Sequence, residues 1–203
     1  MRIGMVSDIH CNIVGLRLAL EAMGPIDALL SAGDNVFQFR WSNDVVALLK
    51  ETGAYVVQGN HDEIILGPSG VRALAIAGVD LDLVAWLRQQ PFRRELEFDG
   101  KKILLTHGSP WAPYWDYIYP HQPAWKRAET LDCDVVVVGH THFQMAQRFG
   151  KVLVINPGSC GDPRDPRNNF KLSCAVWDSE SGEVTFYDYD DPARHAGNPN
   201  AAT

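Results

Sequence analysis

Two hydrophobic rhythms alternate along the first sixty residues. Short apolar runs are followed by segments in which apolar residues recur every three or four positions, and each run ends in a small polar cluster. Arg2–Ser7 predicts a strand, running into Asp8-Ile9-His10-Cys11-Asn12. Leu16, Ala19, Leu20 and Met23 predict a helix over Ile13–Met23, stopped by Gly24-Pro25. Ala28–Ser31 predicts a second strand, ending at Gly33-Asp34-Asn35, and Ser42 or Asn43 caps a helix that reaches Lys50. Ala54–Gln58 predicts a third strand, ending at Gly59-Asn60-His61-Asp62. Successive strand–loop–helix passes imply parallel strands, and in such sheets ligands collect at the carboxyl ends.

Further on, Val71–Ala77 and Leu81–Gln90 read as helices. Glu95–Phe98 and Lys101–Thr106 flank Asp99-Gly100, a two-residue hairpin signal, and the second arm ends at His107-Gly108. Pro123–Leu131 is expected to be helical and feeds Asp134-Val135-Val136-Val137-Val138, a strand apolar on both faces, followed by Gly139-His140-Thr141-His142. Met145–Phe149, Val152–Ile155, Leu172–Trp177 and Val184–Tyr187 then follow as a β-meander. The expected class is α/β.

The chain has 203 residues, 46% of them hydrophobic and 21% charged, the profile of one globular domain with a full core. Residues 1–189 are expected to form that domain, and the Pro-, Gly-, Ala- and Asn-rich residues 190–203 a flexible tail. A net charge of −7 disfavours long nucleic acid, whose binding rests on clustered cations. It leaves room for a small phosphorylated substrate, because bound cations invert the local field. No apolar run is long enough to span a bilayer, so no membrane partner is expected. Cys11, Cys133, Cys160 and Cys174 show no paired spacing and read as reduced thiols of a cytoplasmic protein.

The chemistry is concentrated at the predicted strand ends: Asp8, His10, Asp34, Asn60, His61, His107, His140 and His142. Five of the seven histidines (10, 61, 107, 140 and 142) fall there. Imidazole is the commonest protein metal ligand, and His140 and His142, two apart where a strand ends, can address two different ions. A mixed nitrogen and oxygen donor set suits Mn²⁺, Fe, Zn²⁺ or Ni²⁺ better than Mg²⁺ or Ca²⁺.

The ordered blocks D-x-H, G-D, G-N-H-D, H-G and G-H-T-H resemble those of the calcineurin-like metallophosphoesterase superfamily. With Asn156-Pro157-Gly158-Ser159 and Pro163-Arg164-Asp165, they resemble its small bacterial and archaeal phosphodiesterases. The resemblance implies a two-sheet β-sandwich flanked by helices, an αββα arrangement, with two divalent metals at the strand ends. Manganese is the first expectation, with Fe, Zn, Ni or Mg as alternatives. By position, Asp8, His10 and His142 would hold one metal, Asn60, His107 and His140 the other, and Asp34 would bridge them. His61 would sit at the substrate, oriented by Asp62.

The activity so implied is hydrolysis of a phosphodiester, a nucleotide or a dinucleoside polyphosphate by in-line attack of a metal-bridging hydroxide. A phosphoprotein phosphatase or nuclease with the same site, or a non-catalytic scaffold of the same fold, are the competing readings. A homo-oligomer is compatible with either class. Asn35 departs from the small phosphodiesterases, which often carry an apolar residue after Gly-Asp.

Other residues carry two readings each. Asn12 caps the first helix or contacts substrate, and Asp62 caps the segment after it or orients His61. Arg164, Arg167 and Lys171 either reach a substrate phosphate or remain solvated loop charge. Trp111, Tyr114, Trp115, Tyr117 and Tyr119 either stack a nucleobase or pack a loop or subunit contact. Cys11 reads as a packed thiol, His121 and His195 as surface residues, and Asn156-Pro157-Gly158 as the turn that brings its loop to the metals.

Overall fold

Continuous burial along the inner strands, with alternation confined to edge strands such as Arg93–Phe98, decides the architecture. The computed structural model describes residues 1–192. In chain order these form β1 (Arg2–Val6), α1 (Ile13–Met23), β2 (Ala28–Ser31), α2 (Asn43–Glu51), β3 (Tyr55–Val56), α3 (Asn60–Leu66), α4 (Val71–Leu74) and α5 (Leu81–Arg88). The second half supplies β4 (Arg93–Phe98), β5 (Lys101–Thr106), β6 (Val135–Val137), β7 (Gln144–Phe149), β8 (Val152–Pro157), β9 (Leu172–Asp178) and β10 (Val184–Tyr189). The strands make two five-stranded mixed sheets, in the orders β10-β9-β1-β2-β3 and β4-β5-β6-β8-β7.

Ile3, Met5, Leu30, Ile103, Leu105, Val135, Val137, Leu153 and Ile155 point between the sheets and form the central core. The alternate residues face outward. Leu29 and Val176 pack with Leu16, Val45 and Leu49 of the helices on one side. Leu104, Val136 and Val154 meet Trp125 and Ala128 on the other. The valine run is therefore apolar throughout because both of its faces are buried. At the hairpin, Asp99 (φ 50°) and Gly100 (φ 70°) both occupy the left-handed region, as a type I′ turn requires.

The expected β-meander is two hairpins, β7–β8 in one sheet and β9–β10 in the other, because the chain crosses between the sheets after β8. Four further elements differ from the sequence reading. Pro123–Thr130 is 3₁₀, not α-helical. The segment expected as a helix over Val71–Ala77 is a 3₁₀ turn at Pro68–Gly70 followed by α4 alone. β3 is cut to Tyr55–Val56, and its exit is pinned when Gln58 donates its backbone N–H to Pro91. α3 lies where a loop was expected, because the Asp62 carboxylate accepts from the Gly59 N–H three residues back and caps the helix at Gly59, so that it starts at Asn60. The expected tail begins within packed structure: Asp191 is buried and accepts from Asn12, while residues 193–203, with His195, lie outside the described residues.

Leu105→Ala, at a fully buried inter-sheet position, should lower stability by about 2–5 kcal/mol. Urea denaturation measures this. A loss under about 1 kcal/mol would mean that the two sheets do not depend on this shared core.

Candidate metal centre

The carboxyl ends of β1, β2, β5 and β6 lie at one rim of the sandwich, and the loops leaving them carry the polar residues singled out above. Their backbone is unusual. Asp8 (φ 52°), His10 (φ 47°), Asp34 (φ 53°), His140 (φ 68°) and His142 (φ 61°) all adopt left-handed torsions. Each such residue costs a non-glycine chain on the order of 1 kcal/mol or more. The torsions turn side chains inward that an extended strand would send to opposite faces.

Clearance matters as much as torsion. A Cβ on Gly59 would lie 2.2 Å from Asp34 Oδ1, and one on Gly139 only 1.8 Å from Ser7 Oγ. Both glycines allow neighbouring loops to approach closely enough for their side chains to converge.

The side chains meet in two sets. In one, His142 Nε2 lies 3.2 Å from Asp8 Oδ1 and 3.3 Å from His10 Nε2. In the other, His107 Nε2 lies 3.2 Å from Asp34 Oδ2, 3.2 Å from Asn60 Oδ1 and 3.1 Å from His140 Nδ1. Asp34 Oδ2 is also 3.9 Å from His10 Nε2, so this carboxylate faces both sets. Asp8–His10–His142, His10–Asp34–His61 and Asp34–His107–His140 are each groups whose donor atoms lie within 4.8 Å of one another.

Three of the four imidazoles in the two sets are oriented from behind, while the buried Nδ1 of His10 has no hydrogen-bond partner. The Nδ1 of His107 donates to the Ala32 carbonyl at 2.7 Å, and that of His142 donates to the Asp162 carbonyl, so in both rings Nε2 is the nitrogen that faces inward. His140 is turned the other way round: Nε2 donates to the Trp115 carbonyl at 3.0 Å and Nδ1 faces inward. Asp8 Oδ2 accepts from Ser7 Oγ and from the His140 backbone N–H, leaving Oδ1 buried without a hydrogen bond. Lone-pair donors about 2.1 Å from one cation lie ~3.0 Å apart at adjacent corners, close to the spacings found here. The residues present therefore fit divalent metals.

The electrostatics agree. Burial opposes ionisation of Asp8 and Asp34, but the surrounding imidazoles prevail and hold both carboxyls below the usual range. Burial alone would depress His107, yet Asp34 and Asp8 raise it to about 9. His10 and His140, where burial dominates, fall to about 4.

His61 stands at the edge of the cluster, its side chain 16% exposed, with Nε2 3.9 Å from Asp34 Oδ2. Its Nδ1 accepts the backbone N–H of Gln38 at 3.3 Å, which places the hydrogen of the neutral ring on Nε2, facing the cluster. Burial lowers its pKa.

Asp62, expected to orient His61, makes its hydrogen bonds elsewhere and none to that ring. Its buried carboxylate accepts from the backbone N–H groups of Asn35, Val36 and Gly59 and from Asn35 Nδ2. It ties the Gly33–Asp34 loop to the Gly59–Asn60 turn, and burial with the nearby Asp34 charge raises its pKa to about 6. Asn35, bonded also to Ser31 Oγ and the Val57 carbonyl, is the polar partner of that buried acid. Asp62→Asn replaces one acceptor oxygen by an NH2 donor that would face N–H groups, and should cost roughly 1–3 kcal/mol. Thermal unfolding of the metal-free protein checks this, and an unchanged melting temperature would contradict the bracing role.

The remaining polar residues divide. Asn12 caps α1 through the Gly15 N–H and also reaches Asp191. Arg164 pairs with Asp162 through both Nε and Nη2, and Arg167 with Asp165, so these charges are anchored locally. Trp111 packs near Trp125 in the outer core, whereas the Tyr117 ring stacks on His140 at 3.8 Å. His121 is exposed.

The sequence reading does not name Gln38 or Ser7 as site residues, and takes Asn156 only as part of a turn and Tyr117 only as one of the loop aromatics. Asn156 braces the Gly139 carbonyl and Thr141 from inside the Asn-Pro-Gly turn, and that turn motif was the available signal.

Among the described residues no helix is long and apolar enough to cross a membrane. The chain is 27% identical to a phosphodiesterase of Methanocaldococcus jannaschii over 79% of this chain and 84% of that protein. It is also 27% identical to a phosphodiesterase of Escherichia coli, covering 81% and 82%. A metallophosphoesterase from Sphaerobacter thermophilus superposes with a TM-score of 0.78 at 27% identity, covering 98% of this chain and 95% of that one. The calcineurin-like phosphoesterase superfamily domain matches residues 1–182. Motif order, sandwich and donor geometry thus lead to one assignment: the chain belongs to the calcineurin-like phosphoesterase superfamily, whose members use divalent metals in hydrolysing phosphoric esters.

Proposed function

We propose that this protein is a cytoplasmic phosphodiesterase working with two divalent metals, manganese foremost. The observation that carries the reading is the position of Asp34, whose one carboxylate faces both donor sets. Asp8, His10 and His142 would hold one cation, and Asn60, His107 and His140 the other. When bound, the pair supplies positive charge for phosphoryl oxygens and lowers the pKa of water toward neutrality.

The chain's own residues do the rest. His61 directs its Nε2 hydrogen toward the cluster, where it can donate to the oxygen that leaves phosphorus. Gln38 keeps that hydrogen on Nε2, and Asp62 keeps the Asp34 and Asn60 loops in register. The Tyr117 ring covers His140 and limits water on that side. Small phosphodiesters fit better than long nucleic acid, given the net charge of −7. A non-catalytic scaffold is disfavoured because the chain lacks none of the expected donor residues.

The test is to strip the protein and reload it with Mn²⁺, Ni²⁺, Zn²⁺ or Mg²⁺. Bound metal is measured, and bis-p-nitrophenyl phosphate, p-nitrophenyl phosphate, cyclic nucleotides and diadenosine tetraphosphate are offered. Two equivalents of metal and faster diester than monoester hydrolysis are expected. Hydrolysis of the monoester alone would overturn the diester reading, and no hydrolysis with any metal would restore the scaffold.

A further inference from the structure

A groove of about 660 Å³ opens beside the cluster, running from His10 along the loop between β2 and α2. Phe37, Arg40 and Trp41 line it from that loop, Asn12 from the start of α1, and Asp44 from the first turn of α2. The loop is pinned to the donor residues. Phe37 and Arg40 exchange backbone hydrogen bonds, the Phe37 N–H meets Cys11 Sγ at 3.3 Å, and Arg40 Nη2 donates to the His10 carbonyl at 2.7 Å. The groove's shape is thus tied to the β1–α1 loop that carries His10.

Its chemistry selects among esters. The Phe37 ring is already occupied, lying 4.8 Å from the His61 ring with the Arg40 guanidinium 5.7 Å from its centroid. Trp41 differs. Its Nε1 is held by Asn43 Oδ1 at 2.7 Å, and it packs against the helix-side core, but among the described residues no ring or cation stacks on the indole. Asp44 is exposed and its carboxylate takes no hydrogen bond among the described residues. Arg40 and Asp44 balance, and Asp162 is paired with Arg164, so the groove lacks the surplus of positive charge that a second phosphate would need.

We infer that the groove binds the nucleoside arm of a phosphodiester, with the heterocycle on Trp41 and ribose hydroxyls donating to Asp44. The inference rests on the phosphodiesterase reading and narrows it: a neutral nucleoside arm is favoured over the polyphosphate chain of a dinucleoside polyphosphate. Base–aromatic stacking is worth roughly 5- to 150-fold in affinity.

Two diesters with the same leaving group test it on the manganese-loaded protein: p-nitrophenyl uridine 5′-phosphate and p-nitrophenyl methyl phosphate. The nucleoside ester should be favoured at least ~10-fold in kcat/KM. Trp41→Ala should erase most of that ratio, Trp41→Phe should keep it, and Asp44→Asn, at an exposed position, should lower it about threefold or more. A wild-type ratio near one, or equal losses on both esters in Trp41→Ala and in Asp44→Asn, would overturn the assignment.

If neither ester is hydrolysed, the hydrolase reading fails and binding still decides the groove. Calorimetry with uridine 5′-monophosphate should show affinity about fivefold or more weaker for Trp41→Ala than for wild type or Trp41→Phe. Equal affinities in all three proteins would remove the groove as a nucleoside site.

Discussion

Asp34→Ala is expected to lose bound metal and hydrolysis together. The carboxylate that faces both donor sets is itself anchored, its Oδ1 accepting the backbone N–H of His61 at 2.8 Å while Oδ2 points at His107 and His10. Removing it deprives both sets of a shared anion and leaves the imidazoles around it uncompensated. Loss of an outer partner behind a metal ligand already costs ~10–100-fold in affinity, and loss of a bridging ligand should exceed that. Elemental analysis after dialysis, with circular dichroism to confirm the fold, measures the effect. A folded Asp34→Ala protein that keeps two metals and turns over normally would remove the dinuclear reading.

His61→Ala should separate the two properties that Asp34→Ala loses together. Its ring stands at the edge of the cluster, partly exposed, and no donor set depends on it alone. Metal content should therefore persist while kcat falls by about 10²–10⁴-fold, the usual contribution of a proton donor. His61→Gln, which retains an N–H donor, should recover part of the loss. Metal loss in His61→Ala would instead make His61 a ligand in the His10–Asp34–His61 group, and an unchanged kcat would deny it a part in the reaction.

The donors were legible in the sequence because each follows an apolar run at the point where the chain leaves the sheet. Asp8, Asp34, His107 and His140 obey that rule directly, and the valine run before Gly139 announces a strand buried on both faces. Periodicity conveys which face a side chain takes within an element, but it is silent where torsions depart from the element. That is why the left-handed turns at His10 and His142, and the helix that begins at Asn60, came only from the folded chain.

The same holds for the bracing groups. Gln38 orients His61 through a backbone N–H, and any residue but proline would offer one. Asp62 looked like a partner for its neighbour, but successive helical residues point in different directions, and its carboxylate turns back to Gly59 and Asn35. Asn35, conspicuous in sequence as a polar residue after Gly-Asp, is explained by that buried acid.

The left-handed torsions at Asp8, His10, Asp34, His140 and His142 carry one further consequence. Conformational energy is held in the same residues that would grip cations, so occupancy and folding draw on a single set of dihedral angles. A cation that engages only the native arrangement then acts as a folding ligand, adding about 2.7 kcal/mol at a hundredfold excess over its dissociation constant. Cellular abundance of this protein would rise and fall with metal supply, before any question of catalysis arises.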